Sequence, residues 1–460
     1  MDFSRLLPAS PSLAGIVRLG LDPRAPAPDL AALGRGAAGW AESGDTITVS
    51  PAFLDLVTDI VSADSEQRSD LRDRHDRVPP QANALVRAGG ERGLVLQSIA
   101  GRLREAVVRL ADGKPVRLLA PWPADHRWAV GLSHDLDVVA LWPLFTGLRL
   151  AELMRHGALA QAGRTLVAGL GAAFSDPVSG AVAGLLGQEF AAQVRSTWFV
   201  LCGTPTLSTF RDGDLTYSPE SARARAIFER LAAAGHEIGL HGSFETSRRP
   251  AAFSEQRARL ARLTGSSASG VRQHFVRLRP GTTHVSMAEA GFQYDASMGF
   301  SDRNGFRLGV ADVVPGWSAE RQAVAGPDLL PFAWMDRALS KYRGVEDPAV
   351  WVADGLELAD HARAVEGLWA GIWHPNLVPA LGYPGAPEAN AELMKQLRRT
   401  NPWVATHRDL VTWRRARRSA MAMAIDAEGR VSAESRGPVV APLGLESPLA
   451  EPREPVLARA

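Results

Sequence analysis

Short apolar runs that end in polar residues recur along the chain. The runs at 128–132 and 196–202 have the length and composition of buried β-strands, and residues 236–241 form the next predicted strand. Between strands lie stretches with helical spacing, for example the predicted helix that is capped by Ser218 and ends at Gly235. About seven strand–helix repeats occur. This alternation predicts an α/β fold with a parallel sheet, and the number of repeats suggests a barrel.

Titratable side chains fall at or just beyond the C-terminal ends of the predicted strands. They are Asp135, Asp137, His241, Arg272, His274 and His374. A single histidine at a strand end is most often structural. The C-terminal ends of parallel strands, however, meet at one face of a barrel, and that face carries the active site in such folds. The shared position of these titratable residues therefore predicts one functional site.

Two of these residues lie close together at the end of the first predicted barrel strand. Residues i and i+2 of a strand point the same way, so Asp135 and Asp137 are expected to converge. Two like charges at one point are unfavourable unless a cation or a shared proton relieves them. One interpretation is that one aspartate holds a divalent metal ion and the other acts as a general base. The alternative is a strand-end turn or a helix cap, where aspartate is also common.

The chain divides into three predicted regions. Residues 1–125 form an N-terminal accessory domain without a recognisable catalytic cluster, residues 126–415 form the barrel, and residues 416–460 form a C-terminal tail or a small β appendage. Residues 138–194 interrupt the barrel as a helical insertion with two runs rich in glycine and alanine. We expect a helical hairpin packed on the barrel. The alternative is an apolar flap that contacts a membrane surface or a lipid-linked substrate.

Composition and charge exclude several classes of protein. Hydrophobic residues make up 46% and charged residues 22% of the chain, which is ordinary for a globular protein. The formal net charge of +1 gives no indication of a nucleic-acid partner. No apolar stretch reaches the roughly 18 residues of a membrane span, so no transmembrane segment is predicted. The N-terminal residues lack the features of a signal peptide, and the single cysteine, Cys202, allows no internal disulfide. A cytoplasmic location is therefore the expectation.

Six stretches agree in order, spacing and strand context with the motifs of one protein family. They are Ser133-His-Asp-Leu-Asp137, Ser196-Thr-Trp-Phe-Val200, Gly235-His-Glu-Ile-Gly-Leu-His241, Val271-Arg-Gln-His274, Ala290-Gly-Phe-Gln-Tyr-Asp295 and Gly371-Ile-Trp-His374. These stretches resemble the polysaccharide deacetylases, carbohydrate esterase family 4, also called the NodB-homology domain. The first stretch looks like the Asp-x-Asp variant of that family. The resemblance covers residues 126–415 and implies a distorted (β/α)7 barrel with metal-dependent removal of acetyl groups from sugars.

The resemblance also implies roles for individual residues. Asp135 matches the catalytic base, and Arg272 matches the arginine that orients this base. Asp137 and His241 match metal ligands, and His374 matches the general acid. These roles suit amide hydrolysis, because a bound metal ion lowers the pKa of water and a base can then take its proton. A protonated histidine can donate to the departing amine. Zinc is the expected metal, with manganese and cobalt as alternatives.

One position departs from the family pattern. The second motif of the family normally reads His-x-x-x-His, whereas this chain has His241-Gly-Ser-Phe-Glu245. Glu245 is one candidate for the third metal ligand, because a carboxylate can bind zinc and its spacing matches the missing histidine. His274, at the next strand end, is the other candidate. The choice depends on whether a helical turn or an extended loop follows His241.

The predicted function is a metal-dependent hydrolase that removes an acetyl group from an N-acetylated sugar of a polysaccharide or its precursor. Two alternatives stay open. One is an amidohydrolase that acts on a non-sugar amide, since a fold does not fix the substrate. The other is a catalytically silent carbohydrate-binding relative, which the missing histidine favours and the presence of both Asp135 and Asp137 disfavours.

Overall fold

The N-terminal part of the protein is a small three-stranded sheet with helices. The computed structural model describes residues 18–44, 46–110, 117–118, 121–141, 143–155, 157–172, 174–420, 423–425, 431–433 and 445–446. The elements before residue 120 are β1 (Arg18–Leu21), α1 (Leu30–Gly34), β2 (Trp40–Ser43), β3 (Thr46–Val49), α2 (Pro51–Ser62), α3 (Asp64–Gln67), α4 (Ala84–Arg87), α5 (Val95–Leu110) and β4 (Arg117–Leu118). Strand β3 lies between β1, which is parallel to it, and β2, which is antiparallel.

A larger, mostly parallel sheet forms the centre of the protein. Its strands are β5 (Ala129–Leu136), β6 (Thr197–Leu201), β7 (Glu237–Gly242), β8 (Gly270–Gln273), β9 (Tyr294–Asp295), β10 (Val314–Ser318), β11 (Ala323–Leu329), β12 (Trp334–Met335), β13 (Leu368–Trp373) and β14 (Trp403–Val404). They pair in the order β10-β11-β9-β8-β7-β6-β5-β13-β12, with β14 also paired to β5. Among these strands only the β10–β11 pair is antiparallel. The prediction of an α/β fold with a parallel sheet is therefore confirmed.

The central sheet curls back on itself. Strands β11 and β12 lie near opposite ends of the pairing order, yet only residues 330–333 connect them. A connection of this length reaches about 18 Å at most, so the two edges of the sheet lie close together. No hydrogen-bonded ladder joins β12 to β10 or β11 within the part of the chain that the structure describes. The closed (β/α)7 barrel therefore stays a prediction.

Helices separate β5 from β6 inside the predicted insertion, residues 138–194. There are three described helices where the sequence predicted a hairpin: α6 (Pro143–Arg155), α7 (Leu159–Gly171) and α8 (Pro177–Ala191). Helix α8 buries Val178 and Val182, whereas α7 exposes Val167 and Leu170. None of the helices in the described ranges is long and apolar enough to cross a membrane. Contact of this insertion with a membrane surface stays a prediction.

The remaining helices lie between the later strands or after β14, and all but α9 were predicted. They are α9 (Leu207–Arg211), α10 (Ala222–Ala233), α11 (Ala251–Thr264), α12 (Thr282–Glu289), α13 (Pro348–Ala364), α14 (Ala386–Arg398) and α15 (His407–Ala420). Helix α10 begins later than predicted, because Ser221 rather than Ser218 accepts the capping hydrogen bond from the first turn. It ends before Gly235, whose φ of 74° suits glycine. Its apolar face buries Phe228 and Leu231, which contribute about 1.5–3 kcal/mol each.

The N-terminal part packs directly against the central sheet. One apolar cluster includes Leu54 and Leu96 from the N-terminal part and Leu330 from the segment after β11. Buried next to this cluster, Nε of Arg307 donates to Oε2 of Glu66 at 3.1 Å. The N-terminal part and the central sheet therefore share one core. The predicted domain boundary near residue 125 stays a prediction.

Short strands follow α15 in the C-terminal region. They are β15 (Met423–Ile425), β16 (Val431–Ala433) and β17 (Leu445–Glu446). Strand β15 pairs antiparallel with β16, and β17 pairs antiparallel with β4. Residues 416–420 of the predicted tail or β appendage, residues 416–460, belong to α15, and apart from these and the short strands the region lies outside the described residues. The appendage stays a prediction.

Candidate active site

A cavity opens at the C-terminal ends of the central parallel strands. Its volume is about 260 Å³. Five of the residues predicted for the site line it, and they are Asp135, Asp137, His241, His274 and His374. They come from the ends of strands β5, β7, β8 and β13 or from the residue that follows. The sheet thus brings together side chains that lie far apart in the sequence.

Asp135 is held by a buried arginine beneath the cavity. Nη1 of Arg272 donates to Oδ1 of Asp135 at 2.7 Å, and Nε donates to the carbonyl of Ala296 at 2.9 Å. The guanidinium also lies 4.2 Å from the ring centre of Phe199. Burial raises the pKa of Asp135, whereas the charge of Arg272 is the largest of the influences that together hold this pKa below its usual range. Asp135 is therefore ionised and fixed in orientation, as a general base must be.

Asp137 meets two imidazoles within the cavity. Its Oδ1 atom lies 3.3 Å from Nε2 of His241 and 3.5 Å from Nε2 of His274. The three ligand-type atoms all lie within 4.8 Å of one another. Oδ1 is buried and accepts no hydrogen bond from the described residues. Burial raises the pKa of Asp137, whereas His274, His241 and His374 together lower it well below its usual range. A carboxylate in this state is suited to a cation.

The second nitrogen of each imidazole has a fixed acceptor. Nδ1 of His241 lies 2.9 Å from the carbonyl of Arg272, and Nδ1 of His274 lies 3.1 Å from Oδ1 of Asp214. Because these oxygens can only accept, Nδ1 carries the hydrogen and the lone pair of Nε2 faces Asp137. Two imidazoles and one carboxylate form the ligand set of many catalytic zinc sites, which keep one position open. The side chains therefore fit a divalent metal ion.

The structure places Glu245 outside this group. Glu245 lies in a 3-10 helix (Phe244–Ser247), its side chain is 47% exposed, and it pairs with Arg249 at 2.8 Å. The helix turns the side chain away from the cavity, so spacing alone was a poor guide to its position. His274, and not Glu245, lies beside Asp137 and His241 in the cavity. The assignment of the ligands stays a proposal.

His374 lies close to both carboxylates of the cavity. Its Nε2 atom is 3.6 Å from Oδ2 of Asp137 and 4.0 Å from Oδ2 of Asp135. Its Nδ1 atom donates to Oδ1 of Asp336 at 2.6 Å. The ring is thus oriented with Nε2 toward the carboxylates, where it can transfer a proton.

Sequence reasoning did not single out two residues that orient the site. Asp336 holds His374, and it follows β12 directly, so the strand-end pattern that revealed the other residues could have revealed it. Asp214 holds His274 and also accepts from the backbone N–H of Phe244 at 3.0 Å. Asp214 lies in a loop after α9, and no periodic pattern marks it.

The segment that carries His274 is strained. It forms a 3-10 helix (His274–Val276) in which Phe275 has a φ of 57° and Val276 a φ of 54°. Positive φ is unfavourable for a bulky or β-branched residue and persists only where surrounding structure enforces it. Here the enforced turn directs His274 toward Asp137 and Phe275 into the cavity.

No protein-family model matches the sequence, and no curated protein matches it. A solved structure described as a polysaccharide deacetylase from Mycobacterium smegmatis is 20% identical with a TM-score of 0.42, and the match covers 65% of this chain and 94% of that chain. Puue allantoinase is 16% identical with a TM-score of 0.44, covering 64% and 92%. The chitin deacetylase of the fungal pathogen Colletotrichum lindemuthianum is 11% identical with a TM-score of 0.33, covering 67% and 92%.

These similar structures include a polysaccharide deacetylase, the family that the sequence motifs resemble. At such identities and TM-scores the similarity says nothing about the substrate or the activity of this chain. Both have to be argued from the side chains of the cavity.

Proposed function

We propose that the protein is a metal-dependent hydrolase that removes an acetyl group from an N-acetylated sugar of a polysaccharide or its precursor. One observation carries the proposal: the buried Oδ1 atom of Asp137, without a hydrogen bond from the described residues, faces Nε2 of His241 and of His274. A carboxylate, Asp135, and an imidazole, His374, flank this group. A metal-ligand set, a base and an acid in one cavity are what amide hydrolysis requires.

Each side chain has a role in this reaction. Asp137, His241 and His274 would hold the ion, which when bound acts as a Lewis acid and makes water acidic enough to lose a proton near neutral pH. Asp135, kept ionised by its arginine, accepts that proton as the oxygen attacks the amide carbonyl. His374 gives a proton to the nitrogen of the breaking C–N bond, so a neutral amine and acetic acid leave, and the acid ionises in solution.

The two alternatives make different demands on the cavity. A silent carbohydrate-binding protein has no need of a base and an acid held by buried partners, and both Asp135 and His374 have such partners. This argues for an enzyme. An amidohydrolase for a non-sugar amide would use the same groups, so only substrate tests separate it from a sugar deacetylase.

The proposal is tested by metal analysis and acetate release on the same preparations. We expect close to one divalent ion per chain and acetate release from at least one N-acetylated sugar. Asp135→Asn should abolish most of the release and retain the metal. If the protein binds neither zinc, manganese nor cobalt after supplementation, the proposal of a metal-dependent enzyme is wrong. The silent carbohydrate-binding protein then becomes the better explanation. Release from non-sugar amides alone supports the amidohydrolase.

Three finer points belong to this proposal. Zinc is the favoured metal, because two imidazole nitrogens and one carboxylate oxygen suit it, and metal analysis separates it from manganese and cobalt. The proposed partner is a carbohydrate substrate, with no nucleic acid. A cytoplasmic location and membrane-surface contact through residues 138–194 stay predictions.

A further inference from the structure

The cavity of the candidate active site has a basic wall. We give this name to four cationic side chains that line the cavity together with the candidate catalytic residues, and they are Arg77, Arg149, Arg337 and Lys341. The first belongs to the N-terminal part, the second to helix α6, and the other two follow strand β12. The charges on this wall that lack a counterion decide what the cavity attracts.

Two of the four cations are neutralised by carboxylates. Nε of Arg77 donates to Oδ2 of Asp73 at 2.7 Å, and Nη1 of Arg149 donates to Oε2 of Glu152 at 2.7 Å. On the opposite side of the cavity the carboxylates of Asp135 and Asp137 already have partners, an arginine and the two metal-site imidazoles. Glu152 also attracts Lys341 and Arg337 at longer range, but among the described residues no carboxylate of the cavity lining forms an ion pair with either of these two cations.

Arg337 is fixed by neutral groups. It donates to the hydroxyl of Tyr383 at 2.8 Å and to Oδ1 of Asn376 at 2.9 Å, and its guanidinium lies 5.2 Å from the ring centre of Tyr383. These contacts orient the guanidinium without cancelling its charge, and they leave further N–H groups for a ligand. Nζ of Lys341 lies 5.5 Å from the ring centre of Phe275. In the part of the chain that the structure describes, Lys341 forms no hydrogen bond or ion pair.

An unusual local structure presents both cations to the cavity. Residues Ala338–Tyr342 form a π-helix with Arg337 at its N-terminus. Such helices are rare and occur frequently at functional sites. Arg337 caps this helix, and Lys341 lies four residues further along the chain. Burial and the charge of Arg337 lower the pKa of Lys341, and they outweigh the charges of Glu152 and Asp137, which raise it. An anion bound between Arg337 and Lys341 would relieve the repulsion between them.

We infer that the substrate carries an anionic group, a phosphate or a carboxylate, which Arg337 and Lys341 bind while its acetamido group lies between Asp135 and His374. The inference rests on the proposed function and narrows its substrate class to acidic N-acetylated sugars. A guanidinium offers a fork of donors that matches phosphate and carboxylate oxygens, and an ammonium adds a point charge. A cavity of about 260 Å³ is small for a ligand site, so the anion and the acetamido group belong to the same or neighbouring sugar units.

The test compares acetate release from N-acetylglucosamine, N-acetylglucosamine 6-phosphate and N-acetylmuramic acid by the metal-loaded full-length protein. We expect kcat/KM for one of the two acidic sugars to be at least about 10-fold higher than for N-acetylglucosamine. Which of the two is preferred tells whether the site binds a phosphate or a carboxylate. Lys341→Met should lower kcat/KM for that sugar by roughly 10- to 100-fold, the scale of one charge-assisted hydrogen bond, and Lys341→Arg should restore most of it. The neutral sugar should lose less than the acidic sugar does, so the ratio of the two kcat/KM values should fall in Lys341→Met.

Lys395→Met is the matched control, because Lys395 is an exposed lysine on α14 that pairs with Glu392 outside the cavity. This variant should keep the preference of the parent. Equal kcat/KM for neutral and acidic sugars, unchanged by Lys341→Met, overturns the inference and leaves the deacetylase proposal intact.

If no sugar is hydrolysed, the anion site can still be tested by binding. Inorganic phosphate and glucuronic acid are each titrated into the zinc-loaded protein, and binding is measured by calorimetry. Binding that Lys341→Met weakens and Lys395→Met does not supports the anion site, while the absence of hydrolysis counts separately against deacetylation of these three sugars. Absence of binding to both probes overturns the inference.

Discussion

Asp336 and His374 form a short hydrogen bond at the ends of two neighbouring parallel strands. Nδ1 of His374 lies 2.6 Å from Oδ1 of Asp336, and the backbone N–H of His374 donates to the other carboxylate oxygen at 2.6 Å. The register of β12 and β13 pairs Trp334 with Gly371 and so brings the two strand ends together. Since a carboxylate can only accept, the pair fixes the ring with Nε2 toward the cavity, as the acid of the proposed reaction requires.

The first prediction concerns this pair. Asp336→Asn should lower kcat by roughly 10²–10⁴-fold, because the ring loses its fixed tautomer and the charge that supports a protonated imidazole. His374→Ala should cause a similar loss and flatten the alkaline limb of the rate–pH profile. Metal content, measured by mass spectrometry, should stay at the parent value in both. The double variant should be little worse than His374→Ala, since the two residues act as one unit. Parent-like kcat in Asp336→Asn would contradict this role.

The second prediction concerns the third metal ligand. His274→Ala should lose most of the bound metal, because Nε2 of His274 faces Asp137 at 3.5 Å. Glu245→Ala should keep the parent stoichiometry, because this exposed side chain pairs with Arg249 away from the cavity. Metal per chain after dialysis measures both, and the Glu245 variant serves as the matched control. Loss of metal from Glu245→Ala alone would reverse the assignment.

The third prediction concerns the pH dependence of the base. Arg272 holds the pKa of Asp135 below its usual range against the effect of burial. Arg272→Met removes that charge, so the pKa of Asp135 rises and the carboxylate is protonated at a pH where the parent is ionised. The acid limb of the kcat/KM profile should therefore move to higher pH. Arg272→Lys, which keeps the charge, should move it less. An unmoved limb in a folded Arg272→Met variant, checked by circular dichroism, would exclude Asp135 as the group seen in that limb.

The positions of the site residues could be predicted because each follows an apolar run. Asp135, His241 and His374 end strands of one parallel sheet, and such ends meet at one edge. Spacing alone could not predict which of Glu245 and His274 lies next to Asp137. A 3-10 helix follows His241 and turns Glu245 outward, while a strained turn brings His274 inward. Both depend on tertiary packing rather than on local sequence preference.

Two other features also depended on tertiary structure. The hairpin of β10 and β11 contains Pro315 and Gly316, residue types that are depleted in strands, so no strand was predicted there. The basic wall joins Arg77 from the N-terminal part with Lys341 from the segment after β12. No periodic pattern relates these two positions, and only the packing of the N-terminal part against the sheet makes them neighbours.

The last prediction tests that packing. Glu66 and Arg307 are buried and join the N-terminal part to the segment after β9, with Nε of Arg307 at 3.1 Å from Oε2 of Glu66. Glu66→Ala leaves a buried guanidinium without its carboxylate and should lower the free energy of unfolding by about 3–5 kcal/mol. The matched control is Glu392→Ala, which removes an exposed partner of Lys395. This variant should change the free energy of unfolding by about 1 kcal/mol or less. Denaturant titration measures both. Equal effects would mean that the N-terminal part does not depend on this pair, and Arg77 would then need another anchor to reach the cavity.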